Sequence, residues 1–385
     1  MQSRPFRFVF IIGIVSLFAD MTYEGGRSIT GPFLAHLGAT GLIVGFVAGF
    51  GELVGYGLRV LSGTVADRTR RYWPFAFVGY TVNLLSVPAL ALVRTWPAAS
   101  GLLIGERFGR GIRKPAVSAM LSYAGSQIGQ GWVFGFHELM DQVGATLGPL
   151  LAAAILAIHG GFANAFGIFI VPGALAIVTL GIARVQYPMP HEMEPEKLTR
   201  ARTFDGRFWT YAAAGACVAA GFADFALVSF HLSKAHIVAA HLIPVLYAAA
   251  MFAGAISAPV FGRLHDRYAL PTILVSFALG ALFAPLSFLG GPAVAIAGVL
   301  LWGFGMGAQE TLLPAIVSKI TPGAERATAL GTFDGVYGVS WFAGSAVMGA
   351  LYDVSLLWVV VFSLALQFAA LPLFAIALRM GNRPS

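Results

Sequence analysis

Long apolar runs alternate with short polar breaks along this chain. Runs of roughly 20 residues recur at 7–34, 41–65, 73–93, 98–120, 131–157, 162–183, 208–231, 240–262, 271–289, 293–315, 327–351 and 356–378. A helix needs about 20 mainly apolar residues to cross a bilayer. The pattern therefore predicts an all-α membrane protein with twelve transmembrane helices. The longest break, 184–207, is polar and charged and divides the spans six and six. We read 1–183 as an N-terminal six-helix half, 184–207 as a linker and 208–385 as a C-terminal half. The halves look like copies. Asp67-Arg68 follows the second span, and Asp266-Arg267 follows the eighth, 199 residues on. The same offset brings Glu24 within one residue of Asp224. Such pseudo-symmetric halves are a transporter architecture, with the substrate site near mid-membrane.

Composition narrows the function. Of 385 residues, 58% are hydrophobic and 11% charged, against roughly 25% charged in a soluble domain. That excludes a soluble enzyme and a disordered chain. The net charge of +7 is no nucleic-acid signal, because the basic residues form short clusters between apolar runs. The single cysteine, Cys217, rules out a disulfide framework. The first run is read as a span and not as a cleaved signal, since Asp20 and Glu24 stand where an export signal stays apolar. His231, His236 and His241 straddle one loop and are read as interfacial, so no metal is expected. No phosphate-binding glycine loop is present, so ATP is not the energy source and no cofactor is expected.

Lysine and arginine set the orientation. With the N-terminus inside, the cytoplasmic segments hold nineteen of them, including Arg68, Arg70, Arg71, Arg110, Arg113 and Lys114. The outer loops hold two, Arg94 and Lys234. Both termini are predicted to be cytoplasmic, in an inner membrane.

Charges within a bilayer are costly, so each one is a functional candidate. The third, sixth, ninth and twelfth spans have none between their ends. The others carry Asp20, Glu24 and Arg27; Glu52 and Arg59; Glu106 and Arg107; Glu138 and Asp141; Asp224; Glu310; and Asp334, with the eighth span as the exception. Every third span lacking charge implies a polar central cavity. Asp20, Glu24 and Arg27 are spaced i, i+4 and i+7 and share one helix face. A carboxylate stripped of water there can exchange a proton, and Arg27 or Arg107 can pair with it. A static salt bridge is the competing reading. Glu106, next to Arg107, is expected to point elsewhere, and His137 and Asp141, at i and i+4, can pair. Glu310 and Asp334 are read as gate charges or helix partners, and Asp224 as a cavity group.

The motifs then point to a family. Gly63-x-x-x-Asp67-Arg68-x-x-Arg71 resembles the loop 2–3 signature of the major facilitator superfamily, and Gly262-x-x-x-Asp266-Arg267 resembles its weaker copy in loop 8–9. Arg70 stands where the family's usual glycine follows the Asp-Arg pair. Arg107-x-x-x-Gly111 resembles the family's arginine motif in the fourth span, and Gly144-x-x-x-Gly148-Pro149 its antiporter-associated motif in the fifth. The stretch 107–115 with 134–141 is similar to a bacterial, drug-exporter-like group. The resemblance implies the major facilitator fold, with spans 3, 6, 9 and 12 facing lipid. Physically, Asp67 and Asp266 would each meet a helix N-terminus, where a carboxylate is stabilising, and so hold an inner gate shut.

These readings lead to a monomeric secondary transporter and not an enzyme. Its partners are a small-molecule substrate, protons and the lipid bilayer. The surplus of acids over arginines favours proton-coupled efflux, as an antiporter, of an amphipathic or cationic compound. The alternatives are an anionic metabolite or metal chelate held by Arg27 and Arg107, and a non-transporting membrane sensor on the same fold.

Overall fold

The computed structural model describes residues 3–128, 130–189, 204–268, 270–320 and 326–380. Side chains at a few helix positions, Asp67 and Asp266 among them, lie outside this description. The described residues are helical almost throughout. The elements are α1 (Ser3–His36), α2 (Gly41–Thr69), α3 (Tyr72–Ala89), α4 (Trp96–Ile128), α5 (Gln130–His159), α6 (Phe162–Gly167), α7 (Ile170–Gln186), α8 (Gly206–Gly221), α9 (Phe225–Lys234), α10 (Ile243–Tyr268), α11 (Leu270–Ala281), α12 (Phe283–Leu289), α13 (Pro292–Ile320), α14 (Arg326–Val354) and α15 (Leu356–Met380). Three spans are interrupted: α6 and α7 form the sixth, α8 and α9 the seventh, α11 and α12 the ninth. Twelve spans result, as the apolar runs predict.

Ten of the twelve are long and apolar enough to cross a membrane by composition alone. The two that fall short, α4 and α14, do so for a physical reason. The middle of α4 holds Glu106, Arg107, Arg110, Arg113 and Lys114, and α14 is rich in glycine and carries Asp334 and Asp353. In α4 the charges Glu106, Arg107 and Arg113 are buried in protein, whereas Lys114 and, in α14, Asp353 are exposed.

Two compact units are present. One comprises 1–37, 54–197 and 240–248, and the other 38–53, 198–239 and 249–385. Helices in lipid gain nothing from burying oil against oil, so close backbone approach through small residues takes over. In the first unit α5 lies directly on α1. A Cβ added at Gly144 would sit 2.3 Å from the Leu17 carbonyl, and one at Gly148 only 2.1 Å from that of Met21. Gly79 of α3 and Gly109 of α4 likewise meet through backbone: a Cβ added at either would come within 2.7 Å of the other helix. A Cβ added at Gly63 would lie 3.2 Å from Pro115 of α4, which accounts for a small residue there.

The second unit repeats the device. A Cβ at Gly344 of α14 would lie 2.0 Å from the Ala220 carbonyl of α8, and one at Gly303 of α13 the same distance from that of Ala250 of α10. Met21 and Ala220 are themselves 199 residues apart, the offset of the Asp-Arg pairs. A Cβ added at Gly262 would make only ordinary contact, with Thr311 at 3.6 Å.

The Asp67-Arg68 signature is not in a loop, because α2 runs on to Thr69. The helix stops at Arg70, whose φ is +54°. That is the left-handed region in which a Cβ costs ~1–2 kcal/mol and glycine is at ease. The glycine usual at this place in the signature thus has a backbone reason. Arg70→Gly should raise the unfolding temperature in detergent, by the equivalent of about 1 kcal/mol; a lower temperature would show that the side chain's contacts outweigh the strain. Gly148→Val should lower apparent stability by ~3 kcal/mol or more, since backbone cannot yield as side chains do. Gly57→Ala, at an open helix position, should gain about 0.5–1 kcal/mol in the same assay. Equal effects of the two substitutions would refute the close-packing account.

Candidate functional site

The charged side chains of the first unit meet where those glycine contacts bring α1, α3, α4 and α5 together. Seventeen residues, about 25 Å of helix, separate Ser3 from Asp20 and also Trp96 from Arg113. Both are buried. Arg113 Nη2 lies 3.7 Å from Asp20 Oδ1. Asp20 packs beside Gly144, whose added Cβ would be 3.1 Å from the Asp20 Cβ. The Arg113 guanidinium lies over the Tyr80 ring at 4.4 Å, and its Nε has no hydrogen-bond partner among the described residues. Arg110, one turn earlier, lies over the Tyr23 ring at 4.5 Å.

Other acids have their own partners. Glu24 is 3.9 Å from Arg27 and accepts a hydrogen bond from the Tyr247 hydroxyl. Asp141 accepts one from Ser16 and lies 3.3 Å from His137 Nδ1. Glu106 accepts from Asn83 Nδ2 at 2.6 Å and pairs with Arg107 Nε at 3.3 Å.

Three placements differ from the sequence reading. Arg113 was assigned to a cytoplasmic segment, but it sits at mid-helix in α4 and is the partner of Asp20, a place expected for Arg27 or Arg107. The apolar run 98–120 already contains this position, but a cluster of Arg110, Arg113 and Lys114 reads as the basic end of a span, whereas α4 continues to Ile128. Glu106 does not point away from Arg107. Long side chains on adjacent residues can curl toward each other, and Asn83 holds the carboxylate in place. Glu138 is exposed and accepts from Gln142.

In the second unit Asp224 is buried at the break in the seventh span. It is the N-cap of α9 and accepts from Ala226 N at 2.9 Å. The neighbouring carbonyls of the break are also satisfied. Ser363 donates to Gly221 O at 2.6 Å and Trp302 Nε1 to Ala223 O at 2.8 Å. Unwound backbone at membrane depth persists only when protein answers its polar groups in this way. Sequence reasoning read Asp224 as a cavity acid. The signal for a break, a glycine three residues before an aspartate, was present but not used.

Glu310 is exposed, and its neighbour Gln309 is buried and accepts from the Tyr337 hydroxyl at 2.8 Å. Asp334 is half-buried on α14. Arg68, Arg71 and Arg267 are exposed, and the side chains of Asp67 and Asp266 lie outside the described residues. Arg59 lies over the Tyr56 ring at 4.4 Å. Sequence reasoning did not single out Asp353, whose carboxylate accepts from Gly41 N and Leu42 N at 2.9 and 2.8 Å and so caps the start of α2. Nor did it single out the contact of His231 Nδ1 with the Tyr352 hydroxyl at 3.0 Å.

Comparison with known proteins supplies the context. A sequence model described as Major Facilitator Superfamily matches residues 9–345 and 212–385. The chain is 40% identical over 389 residues to an uncharacterized protein of Mycobacterium tuberculosis, covering 98% of this chain and 95% of that one. It is 30% identical over 174 residues to an uncharacterized MFS-type transporter of Methanocaldococcus jannaschii, covering 45% and 43% of the two chains. Among solved structures, a bacterial homolog of the human lysosomal transporter Spinster matches with a TM-score of 0.75 at 13% identity, over 99% of both chains. The nucleoside transporter NupG matches with a TM-score of 0.73 at 14% identity, over 98% of this chain and 100% of that one. At such identities the likeness is one of fold.

Asp224→Ala should lower stability by ~1–2 kcal/mol, the usual cost of losing an N-cap, while Asp224→Ser should restore most of it. Equal destabilisation by the two in thermal unfolding would rule out capping as the residue's role.

Proposed function

The chain belongs to the Major Facilitator Superfamily, and on that premise we propose that it is a proton-coupled secondary transporter that exports a small compound by alternating access. It works as a monomer in the inner membrane with both termini cytoplasmic. Its six-helix halves, 1–183 and 208–385, rock about the 184–207 linker, and Asp67 and Asp266 latch the inner side. The observation that supports coupling best is Asp20: a buried acid at mid-helix, held by an arginine at 3.7 Å. That distance exceeds the 2.7–2.9 Å of a tight charge-assisted hydrogen bond. A loosely held pair can exchange partners, as a coupling site requires. Asp141, between Ser16 and His137, is the second proton-exchanging candidate. Glu24, tied to Arg27 and Tyr247, serves to hold α1.

Export rests on the likeness of Gly144, Gly148 and Pro149 to the antiporter motif. The charge of the compound turns on which groups remain after internal pairing. A cationic compound needs free acids. Asp20, Glu24, Glu106 and Asp141 all have basic partners, and Arg110 adds a positive charge beside them. This pairing supports the anionic reading over the cationic one.

The reading is tested in proteoliposomes under an imposed pH gradient, with ethidium as the cationic probe and carboxyfluorescein as the anionic one. Gradient-driven movement of one probe, abolished by a protonophore and by Asp20→Asn, is expected. Wild-type rates in Asp20→Asn would remove Asp20 from coupling, and no gradient-driven movement of either probe would favour a non-transporting sensor.

A further inference from the structure

The surroundings of Arg113 identify what kind of compound the site takes. A guanidinium presents five N–H donors in a planar fork that matches an oxyanion with two parallel hydrogen bonds. Burying one and leaving a donor unmatched is costly. Arg113 is buried, its Nε is unmatched among the described residues, and its only ion-pair contact within 4 Å among them is the 3.7 Å approach to Asp20. The Tyr80 ring lies beneath it at 4.4 Å, a face contact that takes up none of the in-plane Nε–H. Arg110, one turn away on the same face of α4, has its guanidinium on Tyr23, one turn beyond Asp20 on α1. Two arginines thus flank one loosely paired carboxylate.

We propose that Arg113, with Arg110 beside it, anchors an oxyanion of the transported compound, a carboxylate first of all, and that this anion displaces Asp20 from the guanidinium. The inference rests on the transporter reading above and names its substrate class.

Electrostatics then dictates what Asp20 does. Counted together, the acids Asp20, Glu24 and Asp141 balance the arginines Arg27, Arg110 and Arg113, so the resting cluster is neutral. Adding an anion would leave a net negative charge in a low-dielectric site, which is unfavourable. Protonation of the released Asp20 restores neutrality, so the anion arrives with one proton; bound together the two move the same way, and for an anion the inward proton gradient drives uptake in place of the export read from the antiporter-like motif. The groups around Asp20 are Glu24 on α1, Tyr80 on α3, Arg110 and Arg113 on α4, and Asp141 with His137 on α5; α7 brings Arg184, which lies over Phe77. Glu24 and Asp141 are held by other partners, which leaves Asp20 as the group that accepts the proton.

The test uses the full chain in detergent with a matched series of probes: phenylacetate, phenylphosphonate, phenylacetamide and phenethylammonium. The two anions should raise the unfolding temperature and the amide and the ammonium should not, since only a compound bound to the native state stabilises it. Arg113→Gln should weaken anion binding by about 10- to 100-fold, and Arg113→Lys by less. Anion addition to the wild type in weak buffer should take up about one proton, and Asp20→Asn should bind the anion with no uptake. Where Arg113→Gln alone fails to fold, the double variant Arg113→Gln with Asp20→Asn keeps the site neutral and serves in its place. Protection by phenethylammonium alone, by no probe, or by anions equally in the Arg113 variants overturns the proposal. Anion binding and proton uptake that depend on Arg113 and Asp20, with no flux of the same anion in proteoliposomes, would uphold the anchor and sink the transporter reading.

Discussion

The contact of α5 with α1 through bare backbone is the constraint on which the charged site depends. Gly144 and Gly148 leave no room for a Cβ against the carbonyls of Leu17 and Met21. At that separation Ser16 can reach Asp141, and Asp20 lies beside Gly144 with no side chain between. A larger residue at either glycine would push α5 outward and separate the carboxylates from their partners. The motif that resembles an antiporter signature is thus, in the first instance, a spacing device. Its relation to function runs through the geometry it sets for Asp20 and Asp141.

The α3–α4 contact performs the complementary task. Gly79 and Gly109 let the two backbones touch, which sets Tyr80 beneath Arg113 and Asn83 against Glu106. Charge at mid-membrane is tolerated because each group has an answer: an opposite charge, an aromatic face or an amide. Two of these answers are tight and one is loose. Glu106 is fixed by the Asn83 amide and an arginine at 3.3 Å and Glu24 by the Tyr247 phenol with Arg27 at 3.9 Å, whereas Asp20 accepts no hydrogen bond among the described residues and faces Arg113 at 3.7 Å with Arg110 nearby. Unequal holding separates groups that brace helices from a group free to change partners.

Much of this was legible in the sequence, for reasons that are physical. Apolar runs fix spans because a bilayer has a definite thickness, and all twelve fall on helices. Helical spacing placed Asp20 with Glu24, and His137 with Asp141. What spacing does not encode is which helix is the neighbour. The partner of Asp20 is on α4, at a position that charge counting assigns to a loop, since Arg110, Arg113 and Lys114 look like the basic residues of a cytoplasmic end. A run of charge inside a buried helix and a run in a loop have the same letters. The break at Asp224 was hidden similarly, because the residues on both sides are apolar and continue the run. Conversely, the missing glycine at Arg70 was visible as a departure, and the φ of +54° supplies its meaning.

The internal repeat sharpens the division of labour between the halves. Met21 and Ala220 occupy equivalent places, each carbonyl pressed by a glycine of the span four further on. Around that shared scaffold the chemistry has diverged. The first span is one unbroken helix, so Asp20 and Glu24 are side chains on a rigid rod facing arginines. The seventh is broken, and its acid Asp224 is spent on the backbone as a cap. An acid that holds an N-terminus gains by staying ionised and in place, so it is a poor carrier of a proton that must come and go. The unbroken half has the reverse properties, with an acid, Asp20, that caps no helix and lies 3.7 Å from a guanidinium suited to other anions. Sequence symmetry therefore predicts the packing better than the chemistry. The repeat mate of Asp224 is Glu24, itself tied to Arg27 and Tyr247, and the place of Asp20 is taken by Ala219, so the repeat carries the helices over without carrying over the acid.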